Sequence, residues 1–293
     1  MPDLPRSAEA VERAAGLAGS DAAVRAIRPL VGGTHARTWL IQTANPEREL
    51  ILREFPAGDE AAWSETRILT ALAGLGGLAP RLLASGGGPA AAEGPWVVIS
   101  RLPGRADITP SQPAEWARQL GQALARIHAV PRRRLTGFPD VLERPGGSPA
   151  ALHGPAATLI SGCWHLLTDA PRVLTHYDYW SGNTLWDNGT LTGVVDWSGA
   201  ALGPPGFDVG WCRLDLYLLY GEHIADQFLD SYLAASEQSV PDSVLWDLWA
   251  AARSHHDVED WVPNYRDLGR RDLTAAELRN RHTAWTKHLL ADR

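Results

Sequence analysis

HYDYWSGNTLW, residues 176–186, runs directly into DNGTLTGVVD, residues 187–196, and together they have the pattern of a β-hairpin. The dipeptide Asn188-Gly189 stands between two apolar runs, where a two-residue type I′ turn needs positive φ at both central positions. This turn pairs Asp187 with Thr190 and leaves most of the polar side chains at the open end of the hairpin. The sequence therefore predicts a hairpin whose functional groups lie away from the turn.

The predicted register brings Asn183 and Asp196 together. Counting outward from the turn places Asn183 opposite Val194, so that Asp196 lies diagonal to Asn183 on the same face. Two oxygen ligands whose backbones are roughly 7–8 Å apart can share one hard cation such as Mg²⁺. A shift of one residue would put the two side chains on opposite faces of the hairpin.

Asp178 adds a reactive group to this predicted metal site. It precedes Asn183 by five residues, in the loop that leads into the hairpin. A carboxylate beside a metal ion can accept or orient a hydroxyl proton. The order His176, Asp178, Asn183 and a later Asp196 follows the protein-kinase catalytic loop H-R-D-x-x-x-x-N and its metal-binding Asp, with Tyr177 at the middle position.

The composition limits the class of protein. A chain of 293 residues can bury a large core, and its net charge of −7 argues against a general nucleic-acid binder. The N-terminus lacks the apolar run of a signal peptide, and no stretch approaches the ~20 apolar residues of a membrane span. With only two cysteines, a cytoplasmic protein without membrane contact is expected. Lys287 is the single lysine and follows Thr286, which excludes a Walker A phosphate loop.

Two lobes are predicted, with a boundary near residue 103. Short alternating runs before that boundary are typical of antiparallel strands. Between residues 58 and 75 the period changes, and Glu65 falls on one helical face with Ile68, Leu69 and Leu72. Helical periodicity dominates from residue 113 onward. The prediction is an α+β fold with an N-lobe, residues 1–103, built on an antiparallel sheet with one main helix, and a mostly helical C-lobe, residues 104–293, that carries the hairpin.

Motifs in a fixed order resemble one family. The matching segments are LVGGTHARTW (30–39), LILREF (50–55), SETRILTAL (64–72), VVISRLPG (97–104), LGQALARIHAV (120–130), THYDYWSGNTLW (175–186) and VVDWSGAALGPPGFDVGW (194–211). Each is weak alone, but in this order they resemble the aminoglycoside phosphotransferase family, small-molecule kinases of the protein-kinase-like fold that also include choline, homoserine and macrolide kinases. The resemblance implies transfer of the γ-phosphate of ATP or GTP, with Mg²⁺, to a hydroxyl of a small molecule such as an amino sugar or another alcohol.

The resemblance also implies roles for individual residues. Asp178 would be the catalytic base, Asn183 and Asp196 the magnesium ligands, and His176 and Asp208 the supports of the catalytic loop. His128 would pack at a helix end. The residues implied to bind the nucleotide are Gly32, Gly33, Thr34, Arg53, Glu65, Ser100 and Leu102.

Two departures from the family pattern leave an alternative open. Arg53 stands where aminoglycoside kinases typically have lysine, and it can pair bidentately with Glu65, so its contact with phosphate is in question. Tyr177 stands where the family usually has glycine, beside the catalytic carboxylate. The alternative is a nucleotide-binding pseudokinase or regulatory module without transfer activity. A metal-dependent hydrolase is a third possibility.

The acceptor is open at this stage, and so are the choice of ATP or GTP and the oligomeric state. Candidate acceptor contacts are Tyr177, which can shape the pocket, and the acidic residues Asp257, Glu259 and Asp260 of SHHDVEDW, residues 254–261, which can attract an amino sugar. Trp246, Trp249 and Trp261 can stack on a sugar or enclose a choline-like cation. The same SHHDVEDW segment can alternatively be a second metal site or a solvent-facing helix.

Overall fold

The structure, a computed structural model, describes residues 4–30, 36–88, 94–144 and 147–291. The chain divides into two compact units, Met1–Leu102 and Pro103–Arg293. None of the helices in the described part of the chain combines the length and apolar character needed to cross a bilayer. Both cysteines are free thiols, Cys212 in the core and Cys163 half-buried.

The first unit is built on an antiparallel five-stranded sheet. Its strands are β1 (Ala23–Leu30), β2 (Arg37–Ala44), β3 (Arg48–Glu54), β4 (Leu82–Gly86) and β5 (Trp96–Ser100). They lie in the order β1-β2-β3-β5-β4, and every neighbouring pair is antiparallel. The predicted antiparallel N-terminal sheet is therefore confirmed.

Two helices pack in this unit, where the sequence predicted one main helix. The predicted helix is α2 (Ala61–Leu72), and its buried face holds Glu65, Ile68, Leu69 and Leu72. The additional helix, α1 (Ala8–Ala18), is capped by the side chain of Ser7 and buries only two alanines. No element was predicted for this segment from the sequence.

The second unit is mostly helical and carries the hairpin. Its helices are α3 (Pro113–His128), α4 (Ala157–Gly162), α5 (Trp164–Thr168), α6 (Pro205–Tyr220), α7 (Glu222–Ala235), α8 (Ser243–Arg253), α9 (Val262–Asp267) and α10 (Ala275–Ala291). Its strands are β6 (Arg105–Ala106), β7 (Val173–Thr175), β8 (Thr184–Asp187), β9 (Thr190–Val194) and β10 (Ala201–Gly203). Helix α6 is buried on nearly all sides and packs against α7 and α8.

The hairpin has the predicted turn but not the predicted register. Asn188 and Gly189 have φ of 49° and 77°, and Asp187 pairs with Thr190. Farther out, Leu185 pairs with Gly193 while Trp186 pairs with Leu191, so Thr192 is an extra, bulged residue. Val194 consequently faces Thr184 and not Asn183.

A contact outside the hairpin accompanies this bulge. The Thr192 hydroxyl donates a hydrogen bond of 2.7 Å to the Pro103 carbonyl, beside β6, which adds a third strand to β8. The register prediction was wrong because it counted only within the hairpin. Asn183 ends one short 3-10 turn and Asp196 immediately precedes another, both beyond the ends of the strands, so strand alternation does not set the direction of their side chains.

Candidate active site

One face of α6 holds the loop that contains Asp178. Asp208, Trp211 and Asp215 occur at positions i, i+3 and i+7, which share one side of a helix. Asp208 accepts hydrogen bonds from the backbone N–H groups of His176, at 2.6 Å, and Tyr177, at 3.0 Å. Because the Asp208 carboxylate is fully buried, these donors fix the start of the loop.

The other two residues of this helical face hold the rest of the loop. The Trp211 indole N–H donates to Asp178 Oδ1 at 3.0 Å. Asp215 accepts from the backbone N–H of Ser181 at 3.0 Å and from the Tyr265 hydroxyl at 2.8 Å. Burial raises the pKa of Asp215, and both hydrogen bonds oppose that rise. The loop is thus held by one rigid helix at its beginning, middle and end.

Two histidines extend this support. His128, at the end of α3, lies 3.3 Å from Asp208 through Nε2 and 2.8 Å from the Tyr232 hydroxyl through Nδ1. The His176 ring is buried, and its Nε2 lies 2.9 Å from the carbonyl oxygen of Val195, to which it donates. Since Val195 precedes Asp196, His176 links the loop to the second predicted magnesium ligand.

Asp178 is half-buried and held through both carboxylate oxygens. Besides the Trp211 bond at Oδ1, its Oδ2 accepts from the Asn183 amide nitrogen at 3.2 Å. Desolvation raises the pKa of Asp178, and the nearby Asp196 carboxylate adds to that rise. His176, the Trp211 hydrogen bond and Arg253 act in the opposite direction and lower this pKa. A carboxylate in such surroundings is a candidate proton acceptor.

Asn183 and Asp196 approach each other through the backbone. The Val195 N–H donates to the Asn183 carbonyl at 2.9 Å, which sets Asp196 one residue beyond Asn183. The Asn183 amide nitrogen also donates to the Asp178 carbonyl at 2.9 Å, so the amide oxygen points away from Asp178. Asp196 is exposed, has φ of +62°, and accepts from the Ser198 hydroxyl at 3.0 Å. An amide oxygen and an exposed carboxylate are ligands of the kind that Mg²⁺ prefers.

Tyr177 has a backbone conformation that glycine adopts more easily. Its φ is +79°, in the left-handed region where a side chain costs about 1 kcal/mol or more. The Tyr177 ring packs against Phe207 at 5.6 Å, and the guanidinium of Arg253 lies 4.8 Å from its centroid. Glycine, the residue that the family usually has at this position, adopts this φ without strain and can form the same loop.

A cavity of about 170 Å³ opens beside Asp178. It is lined by two carboxylates, four aromatic rings and one amide, which belong to Asp178, Asp215, Trp180, Trp211, Trp261, Tyr265 and Asn264. Trp261 is thus the predicted acceptor tryptophan that faces the cavity, whereas Trp246 and Trp249 are fully buried in the core.

The acidic residues predicted to meet the acceptor lie elsewhere. Asp257 and Asp260 are exposed, and Glu259 forms an ion pair with Arg279 of α10. None of the three lines the cavity that the described residues form beside Asp178. Among the described residues no three His, Cys, Asp or Glu side chains are grouped as metal ligands. The SHHDVEDW segment is a turn followed by a 3-10 helix, Val258–Trp261.

In the first unit the predicted pair of Arg53 and Glu65 is present. The Arg53 Nη1 and Glu65 Oε1 atoms are 2.5 Å apart, and both residues are buried, so the pair ties β3 to α2. Ser100 ends β5 and its hydroxyl accepts from the Arg81 N–H at 2.9 Å. Leu102 is the last residue of this unit. Gly32, Gly33 and Thr34 lie outside the described residues.

Residues 26–251 match the sequence model of the phosphotransferase enzyme family. The chain belongs to this family. The family prediction and the prediction of a phosphotransferase are thereby confirmed. No curated protein sequence matches the chain.

Several solved structures of phosphotransferases share the fold. The macrolide 2′-phosphotransferase MphH from Brachybacterium faecium is 22% identical in sequence, with a TM-score of 0.63. The match covers 90% of this chain and 96% of the MphH chain. The aminoglycoside-3′-phosphotransferase of type VIII is 20% identical in sequence, with a TM-score of 0.58. The match covers 76% of this chain and 92% of the chain of that enzyme.

A third structure contains ligands. A thermostable mutant of the aminoglycoside phosphotransferase APH(4)-Ia, in a ternary complex with ADP and hygromycin B, is 17% identical with a TM-score of 0.60. It covers 96% of this chain and 98% of its own. These likenesses confirm the predicted two-lobed kinase-like fold.

Residues of this phosphotransferase that the sequence analysis missed include Trp211, Asp215, Tyr265 and Arg253. A usable signal existed for the first two, because the i, i+3, i+7 spacing from Asp208 puts all three on one face. Tyr265 and Arg253 carry no such signal, since they reach the site through the packing of α8 and α9.

Proposed function

We propose that this protein transfers the γ-phosphate of ATP or GTP to a hydroxyl group of a small molecule. The observation that carries the proposal is the carboxylate of Asp178 on the wall of a cavity, with both of its oxygens oriented by neighbouring N–H donors. A hydroxyl in that cavity can donate its proton to Asp178 and point its oxygen at an incoming phosphoryl group. Family membership supports the same chemistry.

The remaining loop residues would supply positioning. The amide oxygen of Asn183 and the carboxylate of Asp196 would hold Mg²⁺, because both are hard oxygen ligands on adjacent backbone segments. Bound Mg²⁺ would neutralise charge on the phosphate oxygens during transfer. Asp208 and His176 would keep Asp178 and Asp196 in place through the backbone contacts of the loop. Catalysis of this kind depends chiefly on alignment and charge neutralisation.

The nucleotide is assigned to residues of the first unit. Arg53 would contact phosphate, and the Glu65 carboxylate would fix the orientation of its guanidinium. The other residues proposed for the nucleotide are Gly32, Gly33, Thr34, Ser100 and Leu102.

The acceptor cavity favours a compact molecule with a cationic or sugar-like part. Two carboxylates give it negative charge, and tryptophan and tyrosine rings provide faces on which a sugar or an ammonium group can lie. An amino sugar or another amino alcohol fits these walls, so we propose acceptors of this class.

The test is an acceptor panel read by mass. The protein is incubated with Mg²⁺ and either ATP or GTP, together with amino sugars, aminoglycosides, macrolides and simple amino alcohols. The expected result is the gain of one phosphate group on one class of acceptor, with ADP or GDP released in equal amount. Tight nucleotide binding without transfer to any acceptor would favour a pseudokinase, and a product formed without nucleotide would favour a hydrolase.

A further inference from the structure

Arg253, the last residue of α8, has a guanidinium enclosed by aromatic rings. Its Cζ lies 4.4 Å from the ring centroid of Trp211, 4.8 Å from Tyr177, 5.2 Å from Phe207 and 5.3 Å from Trp249. Its Nη1 atom is buried and has no hydrogen-bond partner in the described part of the chain. Burial accordingly lowers the pKa of Arg253 from its ordinary value, while Tyr177 and Asp178 oppose that change.

Arg253 is half-buried, and the arginines of the described chain that are buried more fully are held differently. Arg53 pairs with Glu65, and Arg213 forms two hydrogen bonds of 3.0 Å with Asp247. A buried guanidinium nitrogen without a hydrogen-bond partner is costly, and ring faces compensate for only part of the lost hydration. An apolar side chain of similar length would fill the same space without that cost. Packing alone therefore does not account for an arginine at position 253.

The two nearest rings belong to a hydrogen-bond donor and to a chain neighbour of Asp178. Trp211 donates the hydrogen bond to Asp178 Oδ1, and Tyr177 is the preceding residue in the chain, in the left-handed conformation. One guanidinium thus contacts both the hydrogen-bond donor and the chain neighbour of the same carboxylate.

We propose that Arg253 is a positioning residue, which holds Trp211 and Tyr177 so that the Asp178 carboxylate stays aimed at the acceptor hydroxyl. The ring of Tyr177 forms one wall around the guanidinium. The inference rests on the proposed function for the role of Asp178. The contact between Arg253 and Trp211 can nevertheless be tested without any reaction.

The first test follows the indole N–H of Trp211 by ¹H–¹⁵N NMR, with the signal assigned by its loss in Trp211→Phe. Arg253→Met keeps an unbranched, flexible side chain and removes the guanidinium with its charge. We expect the Trp211 signal to move upfield and its N–H to exchange faster with solvent in this variant, because the hydrogen bond to Asp178 is no longer held. Arg253→Lys should give a smaller change, since an ammonium keeps the charge but cannot stack as a plane.

The second test measures steady-state kinetics with Mg²⁺-ATP and the acceptor found in the panel. We expect kcat of Arg253→Met to fall about 10- to 100-fold, the effect of a misplaced catalytic group, with KM for ATP unchanged. In a double-mutant cycle, the loss caused by Arg253→Met should shrink in the Trp211→Phe background, because both changes release the same carboxylate. Additive losses in the cycle would overturn the proposed route through Trp211.

The matched control is Arg37→Met in the first unit, where the guanidinium lies 5.1 Å from the ring of Trp39. It removes an equivalent cation–ring contact far along the chain and should leave the Trp211 signal unchanged. If Arg253→Met does not fold, Arg253→Lys decides the matter by the same readouts. A folded Arg253 variant with a wild-type Trp211 signal and wild-type kcat would overturn the inference, whereas a wild-type protein that transfers no phosphate would overturn the proposed function.

Discussion

Two stretches of this chain, HYDYWSGN at residues 176–183 and SHHDVEDW at residues 254–261, are alike in composition and opposite in structure. Both combine histidine, acidic residues and tryptophan. In the first stretch the polar groups that line the site are bound by helix α6 or by each other. In the second, Asp257 and Asp260 face solvent, and Trp261 is the residue that reaches the cavity.

The contrast shows that acidic and aromatic content does not identify a site. The carboxylate of Asp178 accepts hydrogen bonds from Trp211, 33 residues away in the sequence, and from Asn183, five residues away. Glu259 forms a bidentate pair with the partly exposed Arg279, and neither residue lines the cavity. What separates the two stretches is the set of partners that distant elements bring to them.

The largest effect is expected from Asp208→Asn, which removes the carboxylate that holds the first stretch. Two backbone N–H groups and His128 contact the two carboxylate oxygens of Asp208, whereas an asparagine amide has only one acceptor oxygen. We expect a loss of about 3 kcal/mol in the free energy of unfolding and a nearly complete loss of transfer activity. Urea denaturation followed by circular dichroism measures the first, and the acceptor assay the second.

Asp257→Asn is the matched control in the second stretch. Because Asp257 is exposed, the same chemical change there should alter the free energy of unfolding by less than about 0.5 kcal/mol and leave activity intact. Comparable losses in the two variants would mean that the two stretches do not differ as described.

A smaller effect is expected from Trp261→Ala, because Trp261 lines the cavity and contacts the Trp211 ring at 5.3 Å. Removal of an aromatic face from the acceptor should raise KM for the acceptor about tenfold, with KM for ATP unchanged. Asp260→Asn, one residue away and exposed, is the control and should match the wild type in initial-rate kinetics. A raised acceptor KM in Asp260→Asn alone would restore the acidic residues as the acceptor contacts.

The smallest effect concerns acid sensitivity of the second stretch. His282 is buried against Ser254, with Nε2 3.0 Å from the Ser254 hydroxyl, and burial lowers its pKa to about 4. A histidine with a lowered pKa contributes stability above its unfolded value of about 6.5, and that contribution is lost as the pH falls toward 4. Between pH 7.5 and 5.5 the wild type should therefore lose about 1 kcal/mol more than His282→Gln.

Urea denaturation of both proteins at the two pH values measures this difference. Kinetics at pH 7.5 serve as the reference, since His282 is not among the residues that line the cavity and the variant should keep its activity there. An equal pH dependence in the two proteins would show that His282 does not titrate on unfolding.

The features predicted correctly from the sequence were those set by neighbouring residues. The Asn188-Gly189 turn follows from its local need for positive φ, and the buried face of α2 from the spacing of Glu65 and its apolar neighbours. The contact of Arg53 with Glu65 was predicted from the family resemblance, and the structure contains it. The order of motifs gave the family, which the match over residues 26–251 confirms.

The features missed depend on contacts between distant parts of the chain. The register of the hairpin differs from the prediction because Thr192 bulges out and donates to Pro103, about ninety residues earlier. Arg253 and Tyr265 reach the site only through the packing of α8 and α9, which no local pattern of either helix encodes. The acidic residues of the second stretch were assigned to the acceptor from composition, and the structure places them outside the cavity wall.

The proposal that Asp178 is the catalytic carboxylate is tested by Asp178→Asn, which keeps the shape of the side chain and removes its charge. Isothermal titration with ATP and Mg²⁺ is combined with single-turnover transfer to the identified acceptor. The account predicts nucleotide affinity close to that of the wild type, and transfer slowed by about a hundredfold or more, because the acceptor hydroxyl has lost its proton acceptor. Transfer at the wild-type rate in a folded Asp178→Asn protein would contradict it.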